Sequence, residues 1–413
     1  MVRSWLSPFL VGIHGHETAG GEAEPKLLII NYVERGKPVS SLRYAGKPTV
    51  KCAGGGAGKG TWKKRTPPCN GADRDCNIIP RESGQTSMWS FFTRELVEFL
   101  KGEEQMDRKL CASLNSASAW SEIDWAEAER TVRKLQARIV KAQKEGRTGR
   151  VKALQRLLTT SFYAKALAVR RVTENTGKRT SGVDKELWST PKAKYEAIFR
   201  LKRAGYHPKP LKRIYIPKKN GKMRPLSIPT MLDRAMQTLY RFALEPLAEI
   251  TADPCSYGFR TGRCPQDAIE QCFKDLAKKR SPKWVLEGDI KGCFDHISHE
   301  WILEHIPIDK QILRKWLKCG YIETKKLFPT EEGAPQGSPI SPVICNMVLD
   351  GLQPLLRKHF HQVRCGGKTY SPMVNFVRFA DDFIITGENR KLLEERVLPV
   401  VRQFMAERGL QLS

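Results

Sequence analysis

At 413 residues the chain is long enough for a sizeable hydrophobic core and more than one folding unit. Its 71 lysines and arginines against 44 aspartates and glutamates leave a formal charge of +27, which points to a polyanionic partner. Nucleic acid ranks above an anionic membrane, because no stretch reaches the apolar length of a spanning helix, and the eleven cysteines, without CxxC pairs or matching histidines, argue against a zinc knuckle or a disulfide framework.

Residues 1–13 hold one short apolar run with no small-residue cleavage site after it, so a cytoplasmic chain with reduced thiols is expected. Residues 1–88 are rich in Gly and Pro, carry no sustained period and read as a disordered or loosely folded leader. The run Gly54-Gly55-Gly56-Ala57-Gly58-Lys59-Gly60 suggests a phosphate loop, but that loop needs Ser or Thr after its Lys, and Gly60 stands there. Residues 89–175 read as a basic helical region. In it Asp124 and Glu127 have capping-box spacing, Val132, Leu135 and Ile139 follow at helical intervals, and Val151, Leu154, Leu157 and Leu158 repeat the pattern after a break at Gly146 to Gly149.

Residues 130–224 contain 28 Lys or Arg against 5 Asp or Glu, so most of the net charge sits there. Phe162, Tyr163, Trp188, Tyr195, Tyr206 and Tyr215 are interleaved with it, as a surface that neutralises phosphates and stacks on bases would require, although core packing explains such aromatics equally well. From Lys212 onward short apolar strands alternate with helices: a strand at Ile214 to Pro217, a helix from about Leu232 to Leu247, a strand at Trp284 to Ile290 and a helix from His299. That alternation is an α/β catalytic domain.

The strand Trp284 to Ile290 delivers a carboxylate, Asp289, at its end. The apolar runs on either side of Asp381 and Asp382 read as a β-hairpin with the two acids at its turn. Asp is an ordinary turn residue, but carboxylates gathered among apolar flanks repel one another unless divalent cations neutralise them. Magnesium fits, since it prefers carboxylate oxygens and keeps positions open for substrate phosphates. Two such ions roughly 3.5–4 Å apart activate a primer 3′-hydroxyl and stabilise departing pyrophosphate, which is nucleotidyl transfer.

From about Ser87 to its end the chain resembles the reverse transcriptase and maturase proteins of group II introns. The likeness runs through Asn175 to Asp184, Ile216-Pro217-Lys218-Lys219-Asn220-Gly221-Lys222-Met223-Arg224-Pro225-Leu226, Ser256-Tyr257-Gly258-Phe259-Arg260, the Asp289 strand, Gly333 to Pro342 with its Pro335-Gln336-Gly337 turn, and Ala380-Asp381-Asp382. It implies a right-hand polymerase whose fingers and palm occupy 176–413. In that family the positions matching Asp289 and Asp381 bind the metals and that of Asp382 shapes and charges the same site. Lys218 and Arg224 match the grip on the incoming triphosphate, Gln336 a residue beside the nucleotide, and Phe294 the aromatic that blocks a ribose 2′-hydroxyl.

Two departures stand out. Phe379 replaces the usual Tyr before Ala-Asp-Asp, and the sequence stops at Gly409 to Ser413, where the family continues into the rest of the palm, a primer grip and a thumb or maturase domain. The resemblance thus implies intron RNA as template, a DNA or RNA primer and deoxynucleoside triphosphates as partners, with splicing assistance. It also implies a palm sheet with an unpaired edge, and poor copying by this chain alone. The competing reading is a catalytically inactive RNA-binding remnant of such a protein.

Overall fold

The computed structural model describes Leu28–Asn31 and residues 116–413, apart from 218–220, 222 and 367. The expected leader, with its Gly54 to Gly60 run, lies outside the described residues except for Leu28–Asn31, which forms strand β1. The first helices are α1 (Ser116–Ser121), α2 (Trp125–Lys144), α3 (Thr148–Thr160) and α4 (Phe162–Glu174). Asp124 caps α2 by accepting the backbone N–H groups of Ala126 and Glu127 at 2.9 and 3.0 Å. Glu127 turns to Arg130 at 2.6 Å, where a charge-assisted contact outweighs a reach back to one N–H. Val132, Leu135 and Ile139 of α2, and Val151, Leu154, Leu157 and Leu158 of α3, are buried as their spacing requires.

After α5 (Pro191–Arg200) and the hairpin of β2 (Leu211–Pro217) and β3 (Met223–Ile228) comes α6 (Met231–Thr251), on which α2, α3 and α4 pack. Gln136 and Gln155 anchor that packing by donating to the carbonyls of Phe242 at 2.9 Å and Ala243 at 3.3 Å. Phe162, Trp188, Tyr195 and Tyr206 are buried. Burial withdraws these four rings from stacking on bases, while none of the described basic residues of the stretch is buried; Tyr215 is exposed.

Two larger sheets carry the rest. After α7 (Pro265–Leu276), β4 (Trp284–Gly288), α8 (His299–His305) and α9 (Lys310–Leu317), strands β5 (Tyr321–Glu323) and β6 (Lys326–Phe328) join the first hairpin in the order β3-β2-β5-β6, with β5 parallel to β2. Then α10 (Ser341–Leu349), α11 (Leu352–His359) and a small hairpin, β7 (Val363–Cys365) with β8 (Lys368–Tyr370), lead to β9 (Phe376–Phe379) and β10 (Asp382–Gly387). The second sheet is β1-β4-β10-β9, antiparallel throughout. One of its faces packs Val285, Val377 and Ile384 against Ala268, Cys272 and Leu276 of α7. The chain closes with α12 (Arg390–Leu392), one π turn (Leu393–Val397) and α13 (Leu398–Ala406).

Strand β4 stops at Gly288, two residues short of the expected end, and Ile290 forms a single bridge to Leu412. The outer edge of β4 is paired. β1 lies along Trp284 to Glu287, while Ser413 N–H donates to the carbonyl of Asp289 and Lys291 N–H to that of Gln411, both at 2.9 Å. A bare strand edge is a row of unsatisfied N–H and C=O groups, and these two segments satisfy it.

Candidate active site

Phe383 of β10 lies opposite Gly288 of β4, so the next residue outward on each strand is a carboxylate, Asp382 and Asp289. Strand alternation sends both to one face. Asp381 precedes Asp382 in the tight turn after β9, where Ala380 takes a left-handed φ of 58°. The buried run from Phe383 to Thr386, with Phe376 and Val377 beside it, fixes the hairpin in the core and leaves the acids at its tip. Asp289 is exposed; Asp381 and Asp382 are half-buried.

Burial pushes the Asp382 carboxyl up to about 6, and the carboxylates of Asp381, Asp289 and Glu287 push the same way. A divalent cation would relieve that mutual repulsion. Asp289, Asp381 and Asp382 are the side chains that could hold one. Among the described residues no three His, Cys, Asp or Glu side chains form a ready-made cage.

Through Gln336, the β2–β3 hairpin is tied to the turn after β4. Arg224 Nε donates to Gln336 Oε1 at 3.1 Å, Gln336 Nε2 to Asp295 Oδ2 at 3.4 Å, and Ser227 N–H to the Gln336 carbonyl at 2.8 Å. Gly337 makes this approach possible: its φ is 101°, and a Cβ there would stand 2.7 Å from the Ser227 carbonyl oxygen. Phe294 is buried, its ring edge-on to Phe259 at 6.3 Å. With Gln336, Asp295, Ser227, Arg213 and Tyr321 it lines a cavity of about 280 Å³. The loop bearing Gln336 is held from behind by His299, whose Nε2–H donates to the Gly333 carbonyl at 2.8 Å. Burial keeps that imidazole below the ordinary histidine value. The structure thus brings Arg224, Gln336 and Phe294 together; Lys218 lies outside the described residues.

Several residues here escaped the sequence. Asp295 holds the Gln336 amide, and Arg213 stacks its guanidinium 3.9 Å above the Tyr321 ring. Arg378, 1% exposed in the middle of β9, gives one sequence signal: an arginine inside an apolar strand, which demands a buried partner.

On the basic stretch none of the described lysines and arginines is buried. Its five acids are all engaged. Glu145 meets Arg147 at 3.4 Å, Glu174 meets Arg170 at 3.1 Å, Asp184 meets Lys209 at 3.5 Å, Glu196 meets Lys192 at 4.0 Å, and Glu186 pairs with Arg200. The positive surplus of the stretch is therefore left to face solvent or a polyanion.

Residues 120–201 match the N-terminal domain of reverse transcriptase, and residues 216–413 match the reverse transcriptase (RNA-dependent DNA polymerase) domain, a span that includes Arg224, Asp289, Phe294, Gln336, Asp381 and Asp382. Protein YkfC of Escherichia coli strain K12 is 30% identical over 282 residues, 60% of this chain and 74% of that one. The chain belongs to the reverse transcriptase family.

Group II intron-encoded protein LtrA of Lactococcus lactis is 36% identical over 196 residues, 45% of this chain and 32% of that protein. A 91 kDa protein in the cob intron of Schizosaccharomyces pombe is 27% identical over 267 residues, 52% of this reverse transcriptase and 33% of the relative. The chain thus spans about a third of the length of these two intron proteins. None of its described helices is long and apolar enough to cross a membrane.

Proposed function

We propose that the chain is an RNA-directed DNA polymerase of a group II intron, acting by two-metal nucleotidyl transfer with intron RNA as template and a DNA or RNA primer. The observation that carries this reading is the pairing of Phe383 with Gly288, which sets Asp382 beside Asp289 at the end of two core strands. Asp289 and Asp381 would hold two magnesium ions, and Asp382 would charge and shape the same site. When bound, the ions would activate the primer 3′-hydroxyl and neutralise charge on the leaving pyrophosphate.

The chain's own groups would do the rest. Arg224 offers a planar fork, and Lys218 a point charge, to the phosphates of the deoxynucleoside triphosphate. Gln336, held between Arg224 and Asp295, would lie beside the incoming nucleotide, and Phe294 would block a ribose 2′-hydroxyl. The exposed cations of residues 130–224 would track the phosphates of the RNA and assist intron folding and splicing. By domain, 1–88 would be a leader, 89–175 the RNA-gripping helical region, and 176–413 fingers and palm.

Single-nucleotide addition to a primer annealed on RNA is the test, since it asks less of the grip on the duplex than processive copying does. The full chain should add one deoxynucleotide in magnesium and lose that activity in Asp289→Ala, while RNA binding survives. A folded chain that binds the template yet adds nothing, or an Asp289→Ala variant with undiminished addition, would contradict the reading and favour an RNA-binding remnant.

A further inference from the structure

Behind the acidic turn lies a buried polar cluster that the proposed chemistry does not use. Arg378 Nη2 donates to Asp350 Oδ1 at 2.6 Å, and the two side chains are only 1% and 6% exposed. Its Nη1 donates to Asn346 Oδ1 at 3.1 Å and to the carbonyl of Ala380 at 3.2 Å. Asn346 in turn donates its amide to the Gly258 carbonyl at 2.8 Å. A Cβ on Gly258 would stand 2.2 Å from the Ala380 nitrogen, so the backbone at Gly258 presses directly against the turn.

The main chain of Arg378 is fixed as well. Its N–H donates to the Cys255 carbonyl and its carbonyl accepts from Tyr257 N–H, both at 2.9 Å. Arg378 faces away from Asp382, since it pairs with Phe383 across the hairpin and strand alternation separates the two faces.

Ala380 has a φ of 58°, a conformation that an L residue with a Cβ adopts only under constraint. Three constraints act on it: the two-residue loop that the Phe379–Asp382 pair closes, the Gly258 backbone beneath it and the Arg378 guanidinium on its carbonyl. We propose that Arg378 is a positioning residue: by holding the Ala380 carbonyl, with Asp350 and Asn346 as its own anchors, it keeps the turn left-handed and so sets the direction in which Asp381 and Asp382 leave the hairpin. This rests on the reading of those acids as a cation site. An arginine is suited to the task because its planar fork reaches a carboxylate, an amide and a carbonyl from two separate nitrogens, where a lysine offers only one.

The test uses the full chain and four variants: Arg378→Met, Arg378→Lys, Ala380→Gly, and Arg378→Met with Ala380→Gly. The readouts are thermal melting, binding of Mn²⁺ followed by electron paramagnetic resonance, and single-nucleotide addition with its magnesium half-saturation. Outer-shell residues of metal sites typically contribute about 10–100-fold in affinity or activity. Arg378→Met should weaken Mn²⁺ binding within that range, with Arg378→Lys intermediate. Glycine adopts a left-handed φ freely, so Ala380→Gly should recover part of the loss in the Arg378→Met background.

Should Arg378→Met fail to fold, Arg378→Lys, which keeps the buried charge, carries the comparison with wild type. Equal Mn²⁺ affinity in wild type and the folded Arg378 variants, or a double variant no better than Arg378→Met alone, would overturn the positioning role. Intact Mn²⁺ binding without any nucleotide addition by the wild-type chain would instead overturn the polymerase reading alone.

Discussion

The guanidinium of Arg224 and the side-chain amide of Gln336, 112 positions apart in the chain, meet at 3.1 Å, and Gln336 lines the same cavity as Phe294. Arg224, Gln336 and Phe294 are thereby brought together from three separate elements.

If a nucleotide sugar rests on Phe294, shortening that side chain should admit a 2′-hydroxyl. A change of one or two carbons in a fitted pocket alters selectivity by about tenfold or more. Phe294→Val should therefore raise ribonucleotide relative to deoxyribonucleotide addition about tenfold. An unchanged ratio would return Phe294 to a packing role against Phe259.

The basic stretch makes an ionic prediction. Each phosphate neutralised on single-stranded nucleic acid contributes about −0.7 to the slope of log affinity against log salt, so five contacts would give about −3.5. A filter-binding titration of the chain on intron RNA should show a steep linear decline of that order. A flat line would mean that the exposed cations of residues 130–224 do not meet phosphate.

His299 links acidity to the loop that carries Gln336. Burial lowers its pKa, so the folded chain disfavours the imidazolium that the unfolded chain readily forms. Stability from this group is therefore complete above the ordinary histidine range, near 6.5, and is lost as pH falls through and below it. Thermal melting should show the midpoint dropping between about pH 7 and 5. His299→Gln, which keeps a donor for the Gly333 carbonyl but does not titrate, should flatten that drop. An identical pH profile in wild type and variant would show that His299 does not govern it.

The sequence made the acids legible because each one interrupts an apolar strand, a break that burial energetics does not tolerate without a purpose. Helices α2 and α3 were legible for a similar reason, since their apolar residues recur at one interval. The aromatics of the basic stretch were not: a ring on the inner face of a helix and a ring exposed for stacking look alike when the neighbours on either side are lysines. The partners of Arg378 were hidden because Asp350 and Asn346 lie 28 and 32 positions away, at the end of helix α10 and within it. Residues 28–31 and 411–413 were hidden as edge segments because strand pairing between such distant pieces leaves no local period.

The most direct measurement of the central claim is iron-directed cleavage of the chain itself. Fe²⁺ substituted for Mg²⁺ and treated with ascorbate and peroxide generates hydroxyl radicals that cut the backbone beside the bound ion. If Asp289, Asp381 and Asp382 hold one divalent site, the wild-type chain should yield fragments ending near residue 289 and near residues 381–382 together, and excess Mg²⁺ should suppress both. Asp289→Ala should lose both sets of fragments. Cleavage at other positions only, or the same fragments in Asp289→Ala, would contradict the shared site on which the polymerase reading stands.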